Sequence, residues 1–247
     1  MNNIFSLENK TVLITGASSG IGRQIAITAS EMGAIVIITG RDSKKLDESK
    51  SLIPGKAICI TADLAKEADI IKLVNELPKL NGVVFCAGVV DYSPVKFINE
   101  QKITEVFSVN FNGQALLTKH LLKNRKIEKA ASLVYISSVS SKLGVAATAL
   151  YAASKAALNA FAKVTASECA GQQIRSNSIS PGIVITPMSG KAVEAVSAES
   201  MASAAAEYPL GYGSPADVAG LVIYLLSDSS RWMTGSEIVM DGGLTLK

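Results

Sequence analysis

"TVLITGASSGIG" (residues 11–22) decides the fold. An apolar run of β-branched and aliphatic residues, 11–15, passes through Gly16, Gly20 and Gly22 into a helical pattern that starts near Ile21. Glycine lets the chain turn sharply and lets a bulky anion approach the main chain. The free N–H groups and positive dipole end of the following helix then face that anion, as a diphosphate requires. The spacing is G-x-x-x-G-x-G rather than G-x-G-x-x-G, and no Gly-Lys-Ser/Thr marks a nucleoside triphosphate loop. A glycine turn is also an ordinary way to join a strand to a helix, so the rest of the chain must decide.

Outward from this unit, "AIVIIT" (34–39), "AICIT" (57–61), "GVVFCA" (82–87), "SLVYIS" (132–137), "IRSNSIS" (174–180) and "EIVM" (237–240) read as further strands. Several are continuous apolar runs, as expected for parallel strands covered on both faces. Helical patterns lie between them at 21–32, 43–52, 64–77, 100–124 and 151–170. This alternation predicts an α/β fold, a single doubly wound domain with helices on both faces of the sheet. No linker or internal repeat divides the 247 residues. An Ala/Ser/Glu-rich stretch at 187–213 reads as short helices without a strand, placed to act as a lid or as a plain surface insertion. Ser214, Pro215 and Asp217 then form a helix start.

A 48% hydrophobic and 18% charged composition describes a filled globule, and a net charge of +3 argues for neither nucleic acid nor an anionic membrane as partner. Cys59, Cys86 and Cys169 are odd in number and make no zinc-like pairs, which points to a reducing cytoplasm. The start lacks a basic segment followed by an apolar run, and no apolar stretch reaches the roughly 18 residues that span a bilayer. One histidine, His120, excludes a multi-histidine metal site and reads as a helix-surface or packing residue; no metal is expected.

The second strand bears on the cofactor. About 20 positions past the glycine turn, where a carboxylate would select NAD, the chain has Gly40 and Arg41. A guanidinium there can grip a 2′-phosphate, so NADP(H) is favoured over NAD(H), with Ser18 and Ser19 as added donors. If Asp42 reaches the ribose instead, the preference weakens or reverses. In "YAASK", Tyr151 and Lys155 stand at i and i+4, on one helix face. A neighbouring ammonium favours the phenolate, which predicts a Tyr151 pKa lowered towards the working pH, suited to acid–base catalysis. Otherwise they are a satisfied aromatic and a solvated charge.

With these pieces in order, the chain resembles the short-chain dehydrogenase/reductase family over nearly its whole length. "TGASSGIG", "SVNFNG" with Asn110, "YISSVS" with Ser138, "YAASK", "SPGIVITPM" and "TGSEIVMDGG" carry the resemblance. It implies a Rossmann-type domain with a seven-stranded, mostly parallel sheet ordered 3-2-1-4-5-6-7. It also implies hydride transfer between a nicotinamide and a carbonyl or alcohol carbon. By this resemblance Gly16, Gly20 and Gly22 bracket the diphosphate, Ser18, Ser19 and Ile21 belong to the same cofactor-binding turn, and Asp63 meets the adenine. Ala87 and Gly88 pass along the adenosine ribose, while Pro181, Gly182, Val184 and Thr186 approach the nicotinamide and diphosphate. Tyr151 is the implied proton donor, Ser138 a hydrogen-bond donor to the reacting oxygen, and Lys155 a holder of ribose hydroxyls. Asn110 would position a relay water, and the assembly would be a homo-oligomer, a tetramer or dimer.

Two departures stand out. Phe85-Cys86-Ala87-Gly88 replaces the usual Asn-Asn-Ala-Gly, removing amides that brace the cofactor loop, and Tyr212 replaces a common arginine. The function expected is a reductase or dehydrogenase for a small or medium carbonyl or alcohol substrate. The alternatives are a 3-oxoacyl-thioester (acyl-carrier-protein) reductase and a nucleotide-sensing binding protein without turnover.

Overall fold

The computed structural model describes residues 3–189 and 205–246. Residues 190–204, the middle of the expected lid at 187–213, lie outside the described residues. Seven strands form one sheet: β1 Thr11–Thr15, β2 Ile35–Gly40, β3 Ala57–Thr61, β4 Leu80–Phe85, β5 Ile127–Ile136, β6 Arg175–Pro181 and β7 Glu237–Met240. Their order is β3-β2-β1-β4-β5-β6-β7, and every pairing is parallel. The order expected from the resemblance is the observed one. β5 starts earlier than the apolar run suggests, because its first residues pair with Leu80 before a register shift, with Ala130 at φ 61°.

The α-helices that lie wholly within the described residues are α1 Gly20–Glu31, α2 Ser43–Ser51, α3 Glu67–Glu76, α4 Glu100–Phe107, α5 Gly113–Lys123, α6 Ala149–Cys169 and α7 Pro215–Leu226. The alternation within each strand sorts the core into two layers. Val12, Ile14, Val36 and Ile38 face Ile25, Ala26 and Ala29 of α1 and Val218, Ala219 and Val222 of α7. Leu13, Ile37, Val83 and Phe85 face Leu73 of α3, Leu117 of α5 and Leu158 of α6. Burial of such side chains contributes roughly 1.5–3 kcal/mol each and fixes which way each strand edge points. Phe85 stacks on Tyr135 at 4.3 Å, bracing the middle strands under the site.

The single helix read at 100–124 is two. Between α4 and α5, Ser108–Asn112 form a π-helical turn that carries fully buried Asn110. Such turns rotate a side chain out of the α-helical ladder. α7 begins at the anticipated cap, with Ser214 and Asp217 forming a reciprocal capping box and Pro215 in the first turn. Strand order reverses between β1 and β4, and in open α/β sheets the crevice at the carboxyl ends of such strands is where ligands sit.

Candidate active site

A cavity of about 550 Å³ opens over that crevice. Its first wall is main chain. Gly16 ends β1 with φ 66°, and a Cβ built there would lie 2.7 Å from the Ala87 Cα. No other residue fits that turn without moving the β4 loop. Ser19 occupies the N-cap of α1 but makes no side-chain cap hydrogen bond, so the first helical N–H groups remain directed into the cavity beside Gly20, Ile21 and Gly22. Thr186 closes over this end, its methyl 3.2 Å from where a Gly20 Cβ would be. The donors are backbone groups at a positive helix end, and they fit a diphosphate.

At the end of β2, Gly40 and exposed Arg41 line the cavity. Asp42 does not line it: its carboxylate accepts from Lys45 N–H at 3.2 Å and caps α2. Asp63, just after β3, lines the cavity, and its carboxylate accepts from Ala65 N–H. Two groups that sequence reasoning missed hold the loop after β4. The Thr15 hydroxyl accepts from Cys86 N–H at 3.0 Å and Ala87 N–H at 3.1 Å, and Gln114 Nε2 donates to the Ala87 carbonyl at 2.8 Å. Thr15 immediately precedes Gly16, so one residue braces both cofactor loops.

The opposite wall is side chain. Ser138, at the end of β5, accepts from Ser140 N–H at 3.1 Å and is hydrogen-bonded to Tyr151. Tyr151 and Lys155 project from α6 as the i,i+4 spacing requires, with Lys155 Nζ 5.7 Å from the Tyr151 ring centroid. Lys155 is buried and donates to the Ile136 carbonyl at 2.8 Å. The lowered Tyr151 pKa expected from this neighbour is not found. Burial, the largest cause, pushes the phenol up to about 12, against the hydrogen bond from Ser138. The same loss of water pushes Lys155 down to about 8. Desolvation penalises both charged forms, and it is the largest cause of the shift at each residue. At pH 7 the phenol therefore keeps its proton, and the ammonium still prevails. Cys86, beside Lys155, is pushed up to about 12 by burial and stays a thiol.

Asn110 is the one sequence-assigned site residue that does not line the cavity. Its Oδ1 accepts from Val89 N–H at 2.8 Å, and its Nδ2 donates to the Val89 carbonyl at 2.9 Å and to Ser154 Oγ at 3.0 Å. It ties the β4 loop to α6. Gly88 separates it from Lys155: a Cβ there would meet Asn110 Oδ1 at 3.3 Å and Lys155 Nζ at 3.5 Å. Pro181, Gly182, Val184 and Thr186 line the remaining edge. Buried Tyr208, unassigned from sequence, accepts from Ile183 N–H at 3.2 Å and packs where a Gly182 Cβ would be. His120 lies outside the cavity, its Nε2 2.7 Å from Glu67 Oε1.

The family profile described as enoyl-(acyl carrier protein) reductase matches residues 16–245. An uncharacterized oxidoreductase of Methylorubrum extorquens is 35% identical over 96% of this chain and 98% of its own. This chain belongs to the short-chain dehydrogenase/reductase family. Another member, a 3-oxoacyl-[acyl-carrier-protein] reductase of Thermotoga maritima, is 32% identical over 97% of this chain and 99% of its own. A solved structure described as an NAD(P)-dependent gluconate 5-dehydrogenase from Beutenbergia cavernae, with bound NADP, is 30% identical. It superposes with a TM-score of 0.91 over 99% of this chain and 100% of that one. Within the short-chain dehydrogenase/reductase fold, the glycine turn and the Ser138–Tyr151–Lys155 wall therefore face one another across a single cleft. Among the described residues, no cluster of three or more His, Cys, Asp or Glu forms a metal site, and no helix is long and apolar enough to cross a membrane.

Proposed function

We propose that this chain is an NADP(H)-dependent oxidoreductase that interconverts a carbonyl and an alcohol on a small or medium substrate. The observation that carries the reading is the convergence of Ser138, Tyr151 and Lys155 on the cavity whose other wall is the Gly16–Gly20–Gly22 turn. When bound, the nicotinamide supplies or accepts the hydride. Every other part of the reaction falls to side chains of this chain. Tyr151, protonated at neutral pH, donates to the carbonyl oxygen in reduction and takes the proton back in oxidation. Ser138 donates a hydrogen bond to the same oxygen and stabilises its developing charge. Lys155 places a positive charge beside the phenol and would hold the ribose hydroxyls of the cofactor; Asn110 fixes the loop and helix between which a relay water would sit.

The preference for NADP(H) is supported by Arg41, which lines the cavity just after β2, and by the capping role of Asp42, whose carboxylate does not line it. Gly182, Val184 and Thr186 would hold the nicotinamide end and Asp63 the adenine end. We place the chain in one domain, with substrate contacts from Val139 to Leu143, of which Val139, Ser140 and Leu143 line the cavity. The resemblance to the Thermotoga acyl-carrier-protein reductase keeps 3-oxoacyl thioesters as the second reading.

The test is a panel of aldehydes, ketones and 3-oxoacyl thioesters followed by loss of NADPH absorbance, with NADH in parallel. Turnover of neutral ketones with NADPH supports the first reading, and turnover confined to thioesters supports the second. NADPH binding with no turnover of any carbonyl would leave the binding protein.

A further inference from the structure

One mostly buried carboxylate is not used by the chemistry above. Glu237, on β7, is 11% exposed at its side chain. Its Oε1 accepts from Asn159 Nδ2 at 2.7 Å and from Ser180 Oγ at 2.8 Å, and its Oε2 lies 3.5 Å from Lys142 Nζ. Asn159 stands one turn beyond Lys155 on α6. Its Nδ2 carries two hydrogens, and the second goes to Ser141 Oγ at 3.1 Å. Ser141 in turn donates to the Ser138 carbonyl at 2.6 Å. The Asn159 Oδ1 is buried without a hydrogen-bond partner among the described residues, which hold the amide by its donor side. None of Glu237, Asn159 and Ser141 lines the cavity.

We propose that Glu237 is a positioning residue for Ser138, acting through Asn159 and Ser141. A carboxylate strengthens the hydrogen bonds it accepts, and an Asn whose two N–H groups are both engaged cannot rotate. The chain Glu237–Asn159–Ser141 thus sets the backbone of the turn from which the Ser138 hydroxyl reaches Tyr151, while Lys142 ties the same turn to the second carboxylate oxygen. Ser180 adds the end of β6, just before Pro181, to the same anchor. The role rests on the reading of Ser138 given above.

The experiment uses the full chain with Glu237→Ala, Glu237→Gln, Ser141→Ala and the Glu237→Ala/Ser141→Ala pair. The first readout needs no substrate: amide hydrogen exchange of residues 140–143, whose N–H groups bond to Ser138 and Val139. Glu237→Ala should speed exchange of these amides by about 10-fold, with β1 and α1 unchanged. With a carbonyl substrate, kcat should fall by roughly 10- to 100-fold, as expected for a reacting group displaced by a fraction of an ångström. NADPH affinity should stay within about 3-fold, a loss well under one order of magnitude. Glu237→Gln, whose amide oxygen still accepts from Asn159 and Ser180, should recover most of both effects. The double variant should be no worse than Glu237→Ala, since residues in one network do not add.

Unchanged exchange at 140–143, fully additive losses, or loosening spread evenly over the sheet would overturn the proposal. Ser138→Ala separates the two readings. If it leaves turnover intact, the role of Ser138 fails; if it abolishes turnover while Glu237→Ala does nothing, only the present inference fails.

Discussion

The two walls of the cleft are built on opposite terms. At the β1–α1 turn the ligand-facing groups are backbone N–H groups, exposed because Gly16, Gly20 and Gly22 carry no side chains. At the β5–α6 wall the groups that line the cavity are side chains, and each is held by a partner from the other element: Lys155 of α6 by the Ile136 carbonyl of β5, and Ser138, just after β5, by Tyr151 of α6. The difference teaches where each wall is vulnerable. A main-chain wall fails when bulk is added, whereas a side-chain wall fails when a polar atom is removed.

The sharpest break in that comparison is Tyr151→Phe. It removes one oxygen and leaves the glycine wall untouched, so turnover should fall by about 10²- to 10⁴-fold, the usual contribution of a positioned acid. NADPH binding, followed by fluorescence, should remain near normal, and a parallel loss of binding would contradict the division of labour. Gly16→Ala attacks the other wall by adding one carbon. The left-handed backbone and the approach to Ala87 together should cost about 3 kcal/mol in chemical denaturation, and NADPH binding should weaken with it. A fully stable variant with normal affinity would show that the turn has room to relax.

Arg41→Ala tests the one charged side chain on the β2 edge of the glycine wall. Loss of a charge-assisted grip worth about 1.5–3 kcal/mol should weaken NADPH by roughly 10- to 100-fold. NADH titrated alongside should change little; equal losses would remove Arg41 from the 2′-phosphate. The smallest effect is in pH. Burial lowers the Lys155 pKa from 10.5 to about 8, so its charge is present below that value and is lost as pH rises through it. The phenol, raised to about 12, still holds its proton there. The kcat/KM for reduction should accordingly be flat near neutrality and fall above pH 8 or so, reporting the free enzyme. A profile that stays level to pH 10 would mean that the lysine charge is not needed.

Much of the first wall could be read directly from the chain. An apolar strand, spaced glycines and a helix start are all local, and β1, α1 and the Gly40–Arg41 edge stand where the pattern puts them. The i,i+4 pairing of Tyr151 with Lys155 was equally legible, because one helix sets it. Three features were not. The π turn that places Asn110 leaves the apolar periodicity of 100–124 nearly intact, so the segment reads as one helix. The brace from Thr15 and Gln114 joins residues whose partners lie after β4. Tyr208 meets Ile183 only because the chain returns across the end of β6.

By itself, then, the sequence determined the strand–helix alternation, the bare glycine turn and the residues on one face of α6, since each depends on neighbours within a few positions. Only the tertiary structure decided the protonation balance at Tyr151 and Lys155 and the partners that hold Asn110 and Ser138. Those depend on how much water the packed walls exclude and on which distant atoms face one another once the sheet has closed.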